Sequence, residues 1–352
     1  MPPETRPTIA DVARAAGVSK GLVSFALNGR PGVAAETRQR IMDTAAELGW
    51  TPSLSARSLS VGRAFACGLV IGRSPDVIAA DPFFPSFIAG LEDEFSVTGQ
   101  ALVLAVANPG RQEEATYRAL ASDRRVDGVI LTDIRVADPR IALLAEVGIP
   151  AVTLGVPDVA SPFASVSTDD GAGIRLAVEH LAGLGHRRVG HVAGPSGMLH
   201  AQRRRDAFLD AADAAGLDVV VVETDFSAAD GARATASLLD EGTPPTAIIY
   251  ANDSMAVAGM GIAHQRGLSV PDDLSITGFD DTEIGRWVHP ALTSVATDAR
   301  GWGVAAARTL LAAIAGDAPT HLDLPDPTLA VRGSTAPPRA RDARPTTARE
   351  HE

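Results

Sequence analysis

Between Thr8 and Asn28 the chain reads TIADVARAAGVSKGLVSFALN, and Lys20, Gly21, Ser24 and Phe25 share one face if the part after Ser19 is helical. Lysine and serine on the outer face of a helix can hydrogen-bond base edges or phosphates. Each good bidentate contact to a base is worth roughly 1–3 kcal/mol of discrimination. Phe25 has no donor, so it can only touch an apolar feature such as a thymine methyl group or turn inward as core. Inward packing is the expectation.

The elements that would hold this face can be read locally. Thr8 can cap a first helix, with Asp11 three residues on completing a capping box and Ile9, Val12 and Ala13 giving an apolar stripe. Gly17 stops that helix. Ser19 caps a second, in which Val23, Ala26 and Leu27 repeat the helical spacing until Asn28-Gly29. The pair forms a helix-turn-helix, whose second helix can lie in the DNA major groove. Two amphipathic helices around a glycine also occur in ordinary helical packing, so the following residues matter. A third helix is expected from Ala35 to Leu48, closed by Gly49, with Ile41, Met42, Ala45 and Leu48 facing the first two. Pro52 to Leu59 then reads as a short polar helix, too short to be stable alone in water.

Charge is distributed as a DNA-binding head would need. The 352 residues carry a net charge of −12, yet residues 1–63 hold eight Arg/Lys against five acids, a net +3, which leaves −15 for the remainder. A basic head on an acidic body keeps the body off the duplex. Hydrophobic content of 45% is ample for packed cores, and the length suits a small module with two medium ones. No apolar run approaches the length of a membrane span, and MPPETRPTIADV does not read as a signal peptide, so a cytoplasmic location is expected. The single cysteine, Cys67, lies in the apolar run FACGLVI and reads as a buried core thiol.

From Phe65 onward strands and helices alternate. Strands are expected at Phe65–Ile71, Ala101–Ala105, Val129–Leu131 and Ala151–Leu154, with helices at Phe84–Val97 and Glu113–Ala121 between them. The pattern restarts near Asp169, with helices Gly171–Leu184, Arg203–Ala215, Asp230–Asp240 and Ser254–Arg266. Its strands are Arg188–Val192, Val219–Val222, Ala247–Tyr250 and Leu274–Thr277. Such order predicts two α/β halves, each a doubly wound parallel sheet, with ligands beyond the carboxyl ends of the strands.

The N-terminal part resembles the headpiece and hinge of the LacI family of bacterial transcription regulators. DVARAAGVS, VS and LNG around the second helix, PGVAAETRQRI, ELGW, and ARSL before Gly62-Arg63 stand in the family's order and spacing, and the resemblance continues to near Gly333. It implies an all-α headpiece (residues 1–50), a hinge (51–63) and a periplasmic-binding-protein-like core (64–333). The core lobes would be about 64–165 plus 297–323 and about 166–296 plus 324–333, with three chain crossings between them. Residues 334–352, rich in proline and poor in apolar anchors, read as a disordered tail.

The resemblance also implies a function. The chain would be a repressor binding a near-palindromic DNA operator as a homodimer, controlled by a small-molecule effector, a carbohydrate or related metabolite, held between the lobes; no cofactor or metal is implied. DNA contacts are expected from Thr8, Ser19, Lys20, Gly21, Ser24, Phe25, Asn28, Arg57 and Leu59, with Leu59 as an apolar wedge in the minor groove. Effector contacts are expected from Arg204, Asn252 and Asp280, with Phe83 and Phe84 as candidates for an apolar wall, one of them core. Asp253 and Asp281 read as helix caps, and Asp169 and Asp170 as capping residues at a crossover. The sequence departs from its relatives at Leu22 and Phe25, where many carry Thr and Arg, at Ala34, where a capping Ser is common, and at Gly155, where sugar binders often carry Asp.

Two other readings are weaker. A stand-alone solute-binding protein would share the core but has no use for residues 8–59. An enzyme would need a catalytic constellation, and no GxSxG, HExxH or Walker loop is present. His186 and His191 are unsuited as a metal pair, and all eight histidines are expected to be structural or exposed.

Overall fold

The computed structural model describes residues 7–27, 31–50, 58 and 61–339, apart from the side chains at 76, 79 and 80. The chain divides into two compact units, residues 1–65 and 66–352. Asn28, Arg57 and Leu59, and with them nearly all of the expected hinge, lie outside the described residues.

The first unit contains α1 (Ile9–Ala15), α2 (Lys20–Leu27) and α3 (Ala35–Glu47). Its core is Val12, Ala13, Ala16, Val23, Ala26, Ile41 and Ala45, with Trp50 and Val18 packed at the margin. The Asp11 carboxylate accepts both the Thr8 N–H (2.9 Å) and the Thr8 hydroxyl (2.7 Å), and these bonds hold its pKa below the ordinary carboxylate value. Gly17 takes the left-handed conformation (φ 67°) that ends α1, and the Ser19 hydroxyl accepts from Leu22 N–H (3.2 Å) to start α2. Arg38 on α3 donates to the Ala26 carbonyl (2.6 Å), tying α3 to the last turn of α2. Met42 (49% exposed) and Leu48 (37%) do not join this core as expected; Ile41 and Ala45 fill the space instead. Ala34 precedes α3 without any side-chain cap.

The second unit holds two six-stranded sheets. The first lobe contributes β1 (Ala66–Ile71), α4 (Pro75–Ala80), α5 (Phe83–Thr98), β2 (Ala101–Val106), α6 (Arg111–Ser122), β3 (Gly128–Leu131), α7 (Pro139–Val147), β4 (Ala151–Leu154) and β5 (Ala164–Ser167). The second contributes α8 (Asp170–Gly183), β6 (Arg188–Ala193), α9 (Leu199–Ala214), β7 (Asp218–Glu223), α10 (Ala228–Leu239), β8 (Ala247–Tyr250), α11 (Asp253–Gln265), β9 (Ser275–Asp280), α12 (Glu283–Trp287) and β10 (Thr293–Ala296). The chain then returns through α13 (Ala299–Ala315) and β11 (His321–Asp323) to the first sheet, and β12 (Thr328–Ala330) completes the second. Strand order is β2-β1-β3-β4-β5-β11 in one sheet and β7-β6-β8-β9-β10-β12 in the other; only β12 runs antiparallel to its neighbour. This is a doubly wound order, with its switch points at β1/β3 and β6/β8.

The return helix is held by backbone contact. A Cβ on Gly90 of α5 would sit 2.0 Å from the Arg300 carbonyl oxygen, and one on Gly303 of α13 would sit 2.2 Å from the Phe87 carbonyl oxygen. Around this crossing Phe84, Phe87, Leu91 and Phe95 pack with Ala305, Ala306, Ala307 and Leu310. The end of the chain departs from expectation. Ser334 is fully buried, its hydroxyl donating to the Ile276 carbonyl (2.6 Å) and accepting from Thr293 N–H (2.8 Å), while Ile276 N–H bonds the Ser334 carbonyl (2.8 Å). Residues 334–339 therefore continue the second lobe, and backbone pairing supplies the anchor that their apolar content does not.

Candidate functional sites: the reading face and the interlobe cleft

On the headpiece, Val23 and Ala26 turn α2 inward and leave Thr8, Ser19, Lys20 and Gly21 exposed, with Ser24 half-buried. Phe25 is 43% exposed, which corrects the expectation that it packs as core. Its position two residues after Val23 puts it about 200° round the helix from that buried residue, so the core cannot reach it.

In the second unit a cleft enclosing roughly 850 Å³, including its solvent-open mouth, lies beyond the carboxyl ends of the strands of both sheets. Arg204, on the second turn of α9, sits at its floor. One of its terminal nitrogens donates to Asp170 Oδ1 (3.3 Å), the other to the Ala251 carbonyl (3.2 Å), and the guanidinium stacks 3.7 Å from the centre of the Phe279 ring. Its Nε is buried with no hydrogen-bond partner among the described residues. Asp280, the last residue of β9, is held at φ 99° and accepts from the Thr297 hydroxyl (3.4 Å). Burial pushes its carboxyl up to about 7 against the pull of Arg204.

The first lobe faces this with an ion cluster that sequence reading missed. Arg73, just past β1, grips Asp133 through two parallel bonds (2.6 and 2.5 Å) and reaches Asp81 at 3.0 Å. Burial alone would raise Asp133, but the bidentate pairing outweighs it and leaves the carboxyl at about 2; Asp81, with a single such bond, is left raised by burial. Asp133 is positioned from behind. Arg140, fully buried, donates to the Thr132 and Asp133 carbonyls (3.0 and 2.7 Å) while pairing with Glu113 (2.9 Å) and Asp138 (2.7 Å). Four aspartates and three arginines line the cleft, so its cations are largely matched within the protein.

Aromatic rings supply the walls. Phe83 lines the cleft, edge-on to Trp302 of α13 at 6.4 Å, and from the second lobe Phe226 lies stacked on His200 at 5.5 Å. The Arg73 guanidinium lies 5.0 Å from the Phe226 ring, bridging the lobes. Backbone bonds also cross the cleft's edge: Val136 N–H to the Gly197 carbonyl (3.0 Å) and Leu199 N–H to the Ile134 carbonyl (2.8 Å), with Arg203 donating to the Val156 carbonyl (2.6 Å).

Of the expected effector residues, Phe83, Arg204, Asn252 and Asp280 come together here. Phe84 does not. It is 1% exposed in the first-lobe core, because Phe84, Phe87 and Leu91 share the buried face of α5 while Phe83 precedes that face. Asn252 lines the cleft but is committed: it, and not Asp253, caps α11 by accepting from Met255 N–H (2.8 Å), and its amide donates to the Phe226 carbonyl (2.9 Å). Asp253 instead accepts from the Thr282 and Ser294 hydroxyls, and Asp281 pairs with Arg286 and Arg332. Asp169 caps α8 as expected, whereas Asp170 is a cleft residue, and His200 is neither plainly structural nor exposed. Gly155 leaves its position without a carboxylate, but Asp133 and Asp170 stand in the same cleft.

A three-helix reading unit in the same chain as a two-lobed core with a polar, aromatic-walled cleft defines a class of proteins, the transcription regulators that couple a ligand to DNA binding. Residues 8–53 match the family model for bacterial regulatory proteins of the lacI family, and residues 178–335 match that for a periplasmic binding protein-like domain. The chain is 36% identical to the HTH-type transcriptional regulator MalR of Streptomyces coelicolor, over 96% of this chain and 99% of that one. It is similar to the solved complex of the regulator CelR with cellobiose (31% identity, TM-score 0.72, 94% of this chain and 100% of that one). It is also similar to the lac repressor dimer bound to operator and an anti-inducer (29% identity, TM-score 0.81, 94% and 100%). The chain belongs to the LacI family of bacterial transcription regulators.

Proposed function

We propose that this regulator is a cytoplasmic repressor that binds a near-palindromic operator as a homodimer and responds to a carbohydrate in the cleft. The observation that carries the effector reading is the pairing of an arginine fork with aspartates between aromatic walls. Asp170 and Asp280 accept from neighbouring sugar hydroxyls, Arg204 donates through its free edge, and Phe83, Trp302 and Phe226 cover the apolar faces of the ring. CelR, a relative solved with cellobiose, supports this class of ligand. At the DNA end, α2 enters the major groove with Lys20, Gly21, Ser24 and Phe25 toward the bases, while Thr8, Ser19, Asn28 and Arg57 hold the backbone and Leu59 enters the minor groove. Effector acts through its differential affinity for two lobe orientations, only one of which lets paired hinges pack on DNA.

Thermal-shift screening of mono- and disaccharides against the full chain identifies the effector, since a specific ligand stabilises by mass action. With that sugar, Arg204→Ala should bind operator as the wild type does and lose at least 30-fold in ligand affinity. Unchanged ligand affinity would remove Arg204 from the site, and loss of operator binding in folded protein would count against the division of labour.

A further inference from the structure

The outward face of α2 is unusual in what it offers a base pair. KGLVSFAL contains no Arg, Asn, Gln, Asp or Glu, so the hydrogen-bonding side chains this helix can offer a base edge are Lys20 and the single hydroxyl of Ser24. The largest group it presents is an aromatic ring. Phe25 is 43% exposed, whereas Val23, about 200° round the helix, and Ala26 are buried. One turn back along the same face stands Gly21, where even an added Cβ would meet nothing nearer than Ser19 Oγ at 3.8 Å. Gly21 therefore leaves open space on the helix face that Phe25 shares, with Lys20 and Ser24 on the same side.

We propose that Phe25 reads the C5 methyl group of a pyrimidine in the major groove, a thymine in each operator half-site, and that this apolar contact is a main source of base specificity from α2. The inference rests on the assignment of α2 to the major groove made above. The methyl is the only apolar group that a base pair exposes there. The Gly21 gap gives it room beside the ring, and contact removes from water both the methyl and an aromatic edge that the free headpiece leaves exposed. Thymine and 5-methylcytosine carry the same methyl, and thymine is the source that unmodified DNA supplies.

The test uses the full chain and duplexes selected from a random library for tight binding. Each thymine of the selected half-site is replaced in turn, in both halves, by deoxyuridine, which differs only in lacking the methyl. At one position the wild type should lose affinity at least fivefold, and Phe25→Ala should bind the thymine and deoxyuridine duplexes alike. Because Phe25 is exposed, that variant should keep its helical circular dichroism. If selection returns cytosine there, a gain on C5 methylation that vanishes in Phe25→Ala supports the same contact with the other source. Equal binding of thymine and deoxyuridine duplexes at every position, with no response to cytosine methylation, overturns the inference while sequence preference itself survives. The same holds if Phe25→Ala discriminates as the wild type does. Failure to select any sequence overturns the DNA-reading assignment as well.

Discussion

Asp280 concentrates the electrostatics of the cleft in one side chain. Burial, with Asp81 and Asp253 nearby, outweighs the attraction of Arg204 and holds its carboxyl at about 7. The folded protein therefore keeps a proton that the unfolded chain releases near its ordinary value of 3.8, and what Asp280 contributes to stability falls as pH rises from about 4 to 7. Asp280→Asn cannot ionise, so its melting temperature should climb relative to wild type across that window and level off above it. A difference that stays flat from pH 4 to 8 would show that the carboxyl is ionised throughout. The substitution also removes the repulsion between Asp280 and its neighbours Asp81 and Asp253, so the climb reports the ionisation of these three carboxyls together. His191 and His200, depressed to about 4 by burial, and Asp133, at about 2, titrate at or below the foot of the window. A residue so placed could be nominated from GFDD by resemblance. Its altered acidity could not, since that depends on Arg204, Asp81 and Asp253, which are distant in sequence.

Elements were legible where their side chains were uniform and opaque where they were small. The runs ACGLVI of β1 and AIIY of β8 read as buried strands, but ASVS of β5 and TSVA of β10 look like linker and become strands because each is paired on both sides, β5 with β4 and β11 and β10 with β9 and β12. The helix α7 was overlooked although Asp138-Pro139 announces it, and the loop before it carries Asp133 into the cleft, so missing one hid the other. Glycine in α13 reads as a weak point in a helix, yet it is what permits the crossing with α5. Gly303→Ala should cost the first lobe about 2–4 kcal/mol, against the ~1 kcal/mol that helix propensity alone would return, because only backbone stands in the way of the new methyl. A lowered first unfolding transition in urea checks this; a raised one would mean the helices can part cheaply. The start of α3 has the opposite prospect. Ala34 has extended backbone angles (φ −58°, ψ 143°) and offers no cap, so Ala34→Ser should stabilise the helix by about 1 kcal/mol. Slower hydrogen exchange of the α3 amides in the intact chain is the expected readout, and unchanged exchange would mean the first turn is already satisfied.

At the scale of the molecule, the question is what the cleft can transmit. The two lobes are joined by three chain crossings, and at the cleft's edge by the paired backbone bonds of residues 134–136 with 197–199, where Arg135 and Met198 are antiparallel bridge partners. If effector works by changing the angle between lobes, this pairing must be made in one state and loosened or shifted in the other. A covalent tie there should therefore silence the response. Bridge partners in antiparallel strands stand about 4.5–5.5 Å apart at Cα, within the span of a disulfide. The sole native cysteine, Cys67, is fully buried in the first-lobe core and does not compete. Oxidised Arg135→Cys/Met198→Cys protein should bind operator with one affinity whether or not effector is present, and a reductant should restore the wild-type difference. Which affinity it adopts tells which state the paired edge belongs to: tight binding assigns it to the DNA-bound form, weak binding to the released one. If the oxidised protein still responded in full, the signal would have to leave the cleft without any change at this edge, and lobe rotation could not be its carrier.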